Sequence, residues 1–147
     1  MNPTPPAPAL AELVRQPSLT RALSALGSFR VQLDFLGETG RFLPFGGFCF
    51  HGPRFARNVT LLLDDIPVVH AQSLCSPQSE WREILDCGTT PLGQILFSDG
   101  LTLKRSKIRF SRTEHYLLTR QSWFEHRGER LYLSECFLPA LSRFLPE

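Results

Sequence analysis

The chain has 147 residues, enough for one domain with its own core and short for two. Hydrophobic residues make up 42% of it and charged residues 20%, and the net charge of +2 is too small to indicate a nucleic-acid or membrane-surface partner. No apolar run approaches the roughly 20 residues that a membrane-spanning helix requires, so we expect no stable membrane insertion.

The N-terminal segment, MNPTPPAPAL, has neither the basic region nor the apolar region of a secretory signal, and we expect a cytoplasmic protein. Its prolines predict a loose, extended lead-in, which is followed by a predicted short helix over residues 8–15. We therefore divide the chain into this lead-in with its helix at 1–15 and a folded domain at 16–147.

A helix, a strand and a long loop are predicted next along the chain. Ser18 is a suitable N-cap and Gly27 a suitable C-terminal stop for a helix over residues 18–26. From Phe29 onward the stretch FRVQLDFLG alternates apolar and polar residues, which is typical of a strand. Residues 37–53 are rich in Gly and Phe, which predicts a long loop that acts as a cover.

Two hairpins are predicted from pairs of apolar runs that flank short turns. In RFARNVTLLLDDIPVVHAQSLC the turn is Asp64-Asp65, and in TRQSWFEHRGERLYLSECFLP it is Arg127-Gly128. Residues of these types adopt the backbone conformations that tight turns require, so each segment is expected to fold back on itself.

The segment between the hairpins is predicted to hold a helix over residues 78–86, a helical piece that begins at Pro91, and a strand within the ambiguous stretch 105–117. Because hairpins dominate the pattern, the sequence indicates a single α+β domain with a mostly antiparallel sheet.

Neither the cysteines nor the histidines have the spacing of a metal site. The four cysteines show no CxxC pair, and the four histidines show no HxH or HExxH pattern. We expect free thiols in a reducing compartment and no bound metal. The cysteines are Cys49, Cys75, Cys87 and Cys136.

A carboxylate lies on an apolar face in the segment LYLSECFLPA. Read as a strand, this segment places Glu135 on the same face as Leu131, Leu133 and Phe137. Arg57 repeats the pattern in the first hairpin, where the residues on its face are otherwise apolar. Burying an unpaired charge costs several kcal/mol, so each of the two charges needs a partner or a function.

Three hypotheses account for Arg57 and Glu135. They pair with each other as a structural salt bridge, or a bulge or strand end turns one of them to solvent, or both line an enclosed apolar pocket that binds a small polar ligand. In the pocket, Arg57 would bind a carboxylate through two parallel hydrogen bonds. Apolar walls would raise the pKa of Glu135 by desolvation, and a nearby arginine would oppose this.

A basic run near the middle of the chain is interpreted as the solvated face of a strand or loop, because acidic neighbours and the low net charge offset it. It is therefore not interpreted as a phosphate or nucleic-acid site. The run comprises Lys104, Arg105, Lys107, Arg109 and Arg112.

Four blocks of the sequence resemble the chorismate lyase family. The most specific are GERLYLSECFLPA at residues 128–140 and GTTPLGQILF at 88–97, which are similar to the family's ExFLPA and PLGxxLF segments. The others are QPSLTRALSALGSFRVQLDFLG at 16–37 and FARNVTLLLDDIPVVHAQSLC at 55–75. Together the four blocks cover most of residues 16–140.

The resemblance implies a fold, a reaction and a site. The fold is an antiparallel sheet of about six strands with flanking helices and a pocket closed by flaps. The reaction converts chorismate to 4-hydroxybenzoate and pyruvate for ubiquinone, in a monomer without cofactor or metal. Arg57 would bind the ring carboxylate, Glu135 would contact the ring hydroxyl as catalytic acid or base, and backbone groups of Leu19 and Leu92 would help to hold the carboxylate.

Two positions depart from the family pattern. Gln72 and Gln121 stand where the family has arginines. These two glutamines would reduce the positive charge along the expected route into the pocket. Two alternatives therefore remain: a domain of this fold that senses an aromatic acid without turning it over, and a lyase that forms another hydroxybenzoate isomer.

Overall fold

An antiparallel sheet of seven strands forms the centre of the computed structural model, which describes residues 7–97 and 103–146. The strands are β1 (Phe29–Thr39), β2 (Arg54–Leu63), β3 (Ile66–Cys75), β4 (Lys104–Arg105), β5 (Arg109–Ser111), β6 (Leu118–His126) and β7 (Glu129–Phe137). Their order is β1-β2-β3-β7-β6-β4, and β5 also pairs with β6. The predicted α+β fold is confirmed, and the ambiguous stretch 105–117 contains the short strand β5 and the last residue of β4.

The helices are short and flank the sheet. They are α1 (Pro8–Val14), α2 (Leu19–Ser24), α3 (Trp81–Leu85), α4 (Leu92–Leu96) and a 3₁₀ helix at Pro139–Phe144. The Ser18 side chain accepts a hydrogen bond from the N–H of Arg21 at 3.3 Å, so the predicted N-cap of α2 is confirmed. In the part of the chain that the structure describes, no helix has the length and hydropathy to cross a membrane.

Helix α1 packs into the core of the domain. Its residues Leu10, Leu13 and Val14 are buried in one apolar cluster with residues of α2 and of β2 and β3. Burying apolar side chains of this size contributes about 1.5–3 kcal/mol each, which is enough to hold a seven-residue helix against the sheet.

Both hairpin turns have the predicted residues. The backbone angle φ is 50° at Asp64 and 64° at Asp65, and it is 52° at Arg127 and 79° at Gly128. Positive φ at both central residues is the geometry of two-residue hairpin turns, which Asp and Gly adopt more readily than most residues. β3 and β7 pair with each other and join the two hairpins into one sheet.

A bulge in the first hairpin sets which residues share a face. Pairing shifts between Leu62, opposite Pro67, and Leu61, opposite Val69, so Val68 is an extra residue in β3. The proline at 67 has no N–H to donate to the ladder, and ladders are interrupted at such positions.

The bulge places Gln72 and Arg57 on opposite faces of the sheet. Beyond it, Arg57 lies opposite Ser73, while Gln72 lies opposite Asn58. We call the side with Arg57, Ser73 and Glu135 the cavity face, and the other side the loop face.

The loop between β1 and β2 covers the loop face. Its rings pack edge to face with one another and with Tyr132 of β7. The ring centroids are 5.2 Å apart for Phe45 and Phe50 and 5.2 Å apart for Phe48 and Tyr132. These rings cluster on Ala56 and neighbouring loop-face residues. The predicted loop exists, but it does not line the cavity with Arg57 and Glu135.

Buried polar side chains anchor this loop to the sheet. Gln72 accepts a hydrogen bond from the N–H of Leu43 at 2.8 Å and donates one to the carbonyl of Arg41 at 3.0 Å. Gln121 and Ser134 both donate to the carbonyl of Pro44. The expectation that Gln72 and Gln121 lie along a route into the pocket is therefore wrong.

Two of the four free cysteines are fully enclosed. Cys75 and Cys136 are 1% and 0% exposed, and burial raises the pKa of each thiol from 9.0 to about 11. Because the folded thiol keeps a proton that the unfolded thiol loses, each contributes stability that is fully present below about pH 9 and is lost as the pH rises toward 11.

Replacing Gln72 with alanine should lower the free energy of unfolding by about 1–3 kcal/mol, because two buried backbone groups of the loop lose their partner. Urea denaturation followed by tryptophan fluorescence measures the change. Gln94→Ala, at an exposed position of α4, is the matched control and should change stability by less than about 0.5 kcal/mol. Equal effects of the two substitutions would contradict the anchoring role of Gln72.

Raising the pH from 8 to 10 should lower the free energy of unfolding, and Cys136 should account for roughly 1 kcal/mol of that loss. In Cys136→Ala the free energy of unfolding should therefore fall by about 1 kcal/mol less between pH 8 and pH 10 than in the native chain. In Cys49→Ala, at an exposed position, it should fall by as much as in the native chain. Denaturation curves at the two pH values measure it, and an unchanged loss in Cys136→Ala would refute the assignment.

Candidate active site

An apolar cavity of about 60 Å³ lies between the cavity face of the sheet and the helices α2 and α4. Strand β2 brings Arg57 to it, β7 brings Glu135, and Leu19 and Leu92 are the first residues of α2 and α4. All four residues singled out in the sequence therefore line one cavity, although they are up to 116 positions apart along the chain.

Glu135 pairs with Arg120. Nε of Arg120 lies 2.6 Å from Oε1 of Glu135 and its Nη2 lies 3.4 Å from Oε2, so the guanidinium engages both carboxylate oxygens. The register explains the pairing, because Arg120 on β6 lies directly opposite Glu135 on β7. Both bonds are charge-assisted, because a guanidinium donates them.

Arg120 is also tied to the chain that leads into α2. Its Nη1 donates to the carbonyls of Val14 and Gln16, both at 2.8 Å. One buried side chain thus connects two strands of the sheet with the segment between α1 and α2.

Two of the three sequence hypotheses for Arg57 and Glu135 are wrong. The two side chains do not pair with each other, since the partner of Glu135 is Arg120. Neither turns to solvent, since Arg57 is 2% exposed and Glu135 is 6% exposed. Their placement in a common cavity agrees with the third hypothesis, in which both charges line an enclosed pocket.

Arg57 is held at one nitrogen and free at another. Its Nη2 donates to the carbonyls of Gly88 at 3.1 Å and Thr90 at 3.0 Å, which precede α4. Its Nε is buried and has no hydrogen-bond partner among the residues that the structure describes. Burial lowers the pKa of Arg57 below its ordinary value, although a guanidinium stays protonated in proteins. An unpaired buried N–H is costly, and an anionic ligand would satisfy it.

Sequence reasoning missed two further arginines of the cavity, Arg120 and Arg105. The alternation of β6 places Arg120 on the same face as Leu118 and Phe124, and this pattern was available in the sequence. Arg105 was assigned to a solvated basic run, because nothing in that run separates it from its exposed neighbours.

Helices α2 and α4 meet over the cavity at a glycine. A Cβ at Gly93 would lie 3.0 Å from Oγ1 of Thr20, so the absence of a side chain lets α4 approach α2.

The cavity is too small for a six-membered ring. Cavities that hold benzene measure about 150 Å³, whereas this cavity measures about 60 Å³. Binding of a cyclic ligand therefore requires the cavity to widen.

Comparisons with known proteins identify similar sequences. A family model described as chorismate lyase matches residues 3–144. A "Probable chorismate pyruvate-lyase" of Shewanella sp. (strain W3-18-1) is 33% identical over 160 residues, which span 95% of this chain and 84% of that protein. A protein of the same name from Ralstonia nicotianae (strain ATCC BAA-1114 / GMI1000) is 34% identical over 160 residues, spanning 88% of this chain and 80% of that protein.

Replacing Arg120 with glutamine should lower the free energy of unfolding by about 3–5 kcal/mol, because Glu135 would stay buried without its charged partner. Arg30→Gln removes one partner of an exposed ion pair with Asp65 and should cost less than about 1 kcal/mol. Urea denaturation measures both values.

The double variant Arg120→Gln with Glu135→Gln tests whether the loss comes from the unpaired charge. It removes both charges and should recover a large part of the stability lost in Arg120→Gln. A double variant no more stable than the single one would contradict the ion-pair explanation.

Proposed function

The chain belongs to the chorismate lyase family, and on that premise we propose that it converts chorismate to 4-hydroxybenzoate and pyruvate. The observation that supports this most is the pair of charged groups enclosed by one apolar cavity: Arg57 with a free N–H, and Glu135 fixed by Arg120. Such a site suits a small cyclic acid that must be oriented and deprotonated away from water.

The proposed reaction is an elimination. The C–H bond at the ring carbon that bears the hydroxyl breaks, and its electron pair enters the ring. The C–O bond to the enolpyruvyl group on the neighbouring carbon breaks at the same time or next. The released enolpyruvate takes up a proton at its methylene carbon and becomes pyruvate. Because the ring becomes aromatic, the step needs positioning and proton transfer more than a nucleophile, a metal or an organic cofactor.

Arg57 would hold the ring carboxylate of the substrate. Its free Nε supplies a donor in the cavity, while the carbonyls of Gly88 and Thr90 keep Nη2 in place. Leu19 and Leu92 begin helices, where the first N–H groups lack intrahelical acceptors, and these N–H groups would donate to the same carboxylate. Together they would orient the ring over the sheet.

Glu135 would accept the ring proton. The two hydrogen bonds from Arg120 hold its carboxylate in one orientation, as a positioned proton acceptor requires. The proton would then pass to the enolpyruvate carbon or to solvent when the cavity opens. The product, an aromatic acid, would leave slowly, because the cavity must widen to release it.

We place the reaction in the cytoplasm, in a monomer, as the first step in the supply of the ubiquinone ring. The sensor alternative drew its support from Gln72 and Gln121, and that support is lost because both side chains lie on the loop face and anchor the loop. No observation favours another hydroxybenzoate isomer, and product identification decides this point.

Incubation of the purified protein with chorismate should yield 4-hydroxybenzoate and pyruvate in equal amounts. Chromatography identifies the aromatic product, and a lactate dehydrogenase assay measures pyruvate. If neither product forms at high protein concentration, the proposed lyase activity is wrong. If pyruvate forms with a different hydroxybenzoate, the product assignment is wrong.

Glu135→Gln should lower kcat by about 10²- to 10⁴-fold, the usual contribution of a positioned acid or base. Glu125→Gln is the matched control, since Glu125 pairs with Arg130 on a more exposed part of the sheet, and it should keep the native kcat. Circular dichroism checks that both variants are folded. A folded Glu135→Gln variant with kcat within threefold of the native value would exclude Glu135 as the proton acceptor.

A further inference from the structure

The cavity carries more positive charge than one carboxylate requires. Among the described residues that line it, the charged groups are the guanidinium groups of Arg57, Arg105 and Arg120 and the carboxylate of Glu135. Because Glu135 neutralises Arg120, two positive charges remain without a counter-ion in the cavity.

The two remaining cations share an unusual feature. Within the described part of the chain, four buried side-chain polar atoms lack a hydrogen-bond partner, and two of them are Nε of Arg57 and Nε of Arg105. Both belong to residues that line the cavity. Native proteins leave few buried donors unsatisfied, so two orphan donors in one cavity indicate that a ligand accepts from them.

Contacts with a backbone carbonyl and two aromatic rings hold the half-buried side chain of Arg105. Its Nη1 donates to the carbonyl of Pro17 at 2.9 Å, and its guanidinium lies over the rings of Phe124 at 4.7 Å and Phe97 at 5.5 Å. Burial and the nearby charge of Arg120 lower the pKa of Arg105, and Glu135 opposes this. A bound anion would compensate this unfavourable burial of a cation.

Arg57 and Arg105 reach the cavity from different parts of the sheet. Arg57 is on β2 and Arg105 on β4, and the sheet order places β3, β7 and β6 between them. A ligand with anionic groups at two separate positions could therefore contact both cations. Chorismate has this form, with one carboxylate on the ring and a second on the enolpyruvyl group.

We propose that Arg105 binds the enolpyruvyl carboxylate of the substrate while Arg57 binds the ring carboxylate. This inference rests on the proposed function and goes beyond it, because it makes Arg105 the residue that distinguishes the substrate, with two carboxylates, from the aromatic product, with one. After the C–O bond breaks, the carboxylate at Arg105 belongs to pyruvate, and the aromatic product keeps only its contact with Arg57.

Separate measurements on the two ligands test this assignment. Arg105→Gln should raise the KM for chorismate by roughly 10- to 100-fold, since a hydrogen bond to a charged group is lost. The same variant should bind 4-hydroxybenzoate within twofold of the native Kd, as measured by calorimetry. Arg57→Gln should weaken the binding of both ligands. Lys107→Gln, an exposed charge of the same basic run, is the matched control and should change neither value.

Two results would overturn the assignment. One is a KM of Arg105→Gln within twofold of the native value. The other is an equal loss of affinity for both ligands, which would indicate a merely structural role. Arg105→Lys keeps the charge and should recover part of the KM if Arg105→Gln folds poorly. If the native protein makes no 4-hydroxybenzoate, the proposed function fails, and calorimetric binding of chorismate by the same variants still tests Arg105.

Discussion

The ion pair between Arg120 and Glu135 is the interaction on which the site depends. Burying two charges costs several kcal/mol per ion, and the cost is offset only when hydrogen bonds satisfy both groups. Arg120 meets this condition by donating to both oxygens of Glu135 and to the carbonyls of Val14 and Gln16. The same cation therefore orients the carboxylate on the sheet and fixes the segment that leads into α2, so the floor of the cavity and one of its covering helices share an anchor.

The sheet separates binding chemistry from structural support. The cavity face carries Arg57 and the Arg120–Glu135 ion pair, whereas neutral side chains on the loop face hold the loop after β1. Gln72 is suited to that second task because it accepts from the N–H of Leu43 and donates to the carbonyl of Arg41. An arginine has five donors and no acceptor, so it could not replace both bonds. Glutamine at this position is thus coupled to the way this chain holds its loop against the sheet.

Period-two patterns predicted the two hairpins, their turns, and the cavity face that holds Arg57 and Glu135. They could not predict strand order, which places β6 and not β2 beside β7 and so gives Glu135 a different partner. These patterns also could not place Gln72 on the correct face. With the two-residue turn and no bulge, Gln72 would lie opposite Arg57. The extra residue Val68, next to Pro67, shifts the pairing by one and turns Gln72 to the other side.

The contact between Gly93 and Thr20 has a kinetic consequence. With α4 and α2 this close, the void beneath them is too small for any cyclic ligand, so encounter with the closed protein is unproductive. Uptake must wait for the cavity to widen, and this opening step then sets an upper limit on how fast any cyclic ligand is captured. Observed association rates would level off at high ligand concentration instead of rising in proportion to it, however strongly the arginines attract an anion.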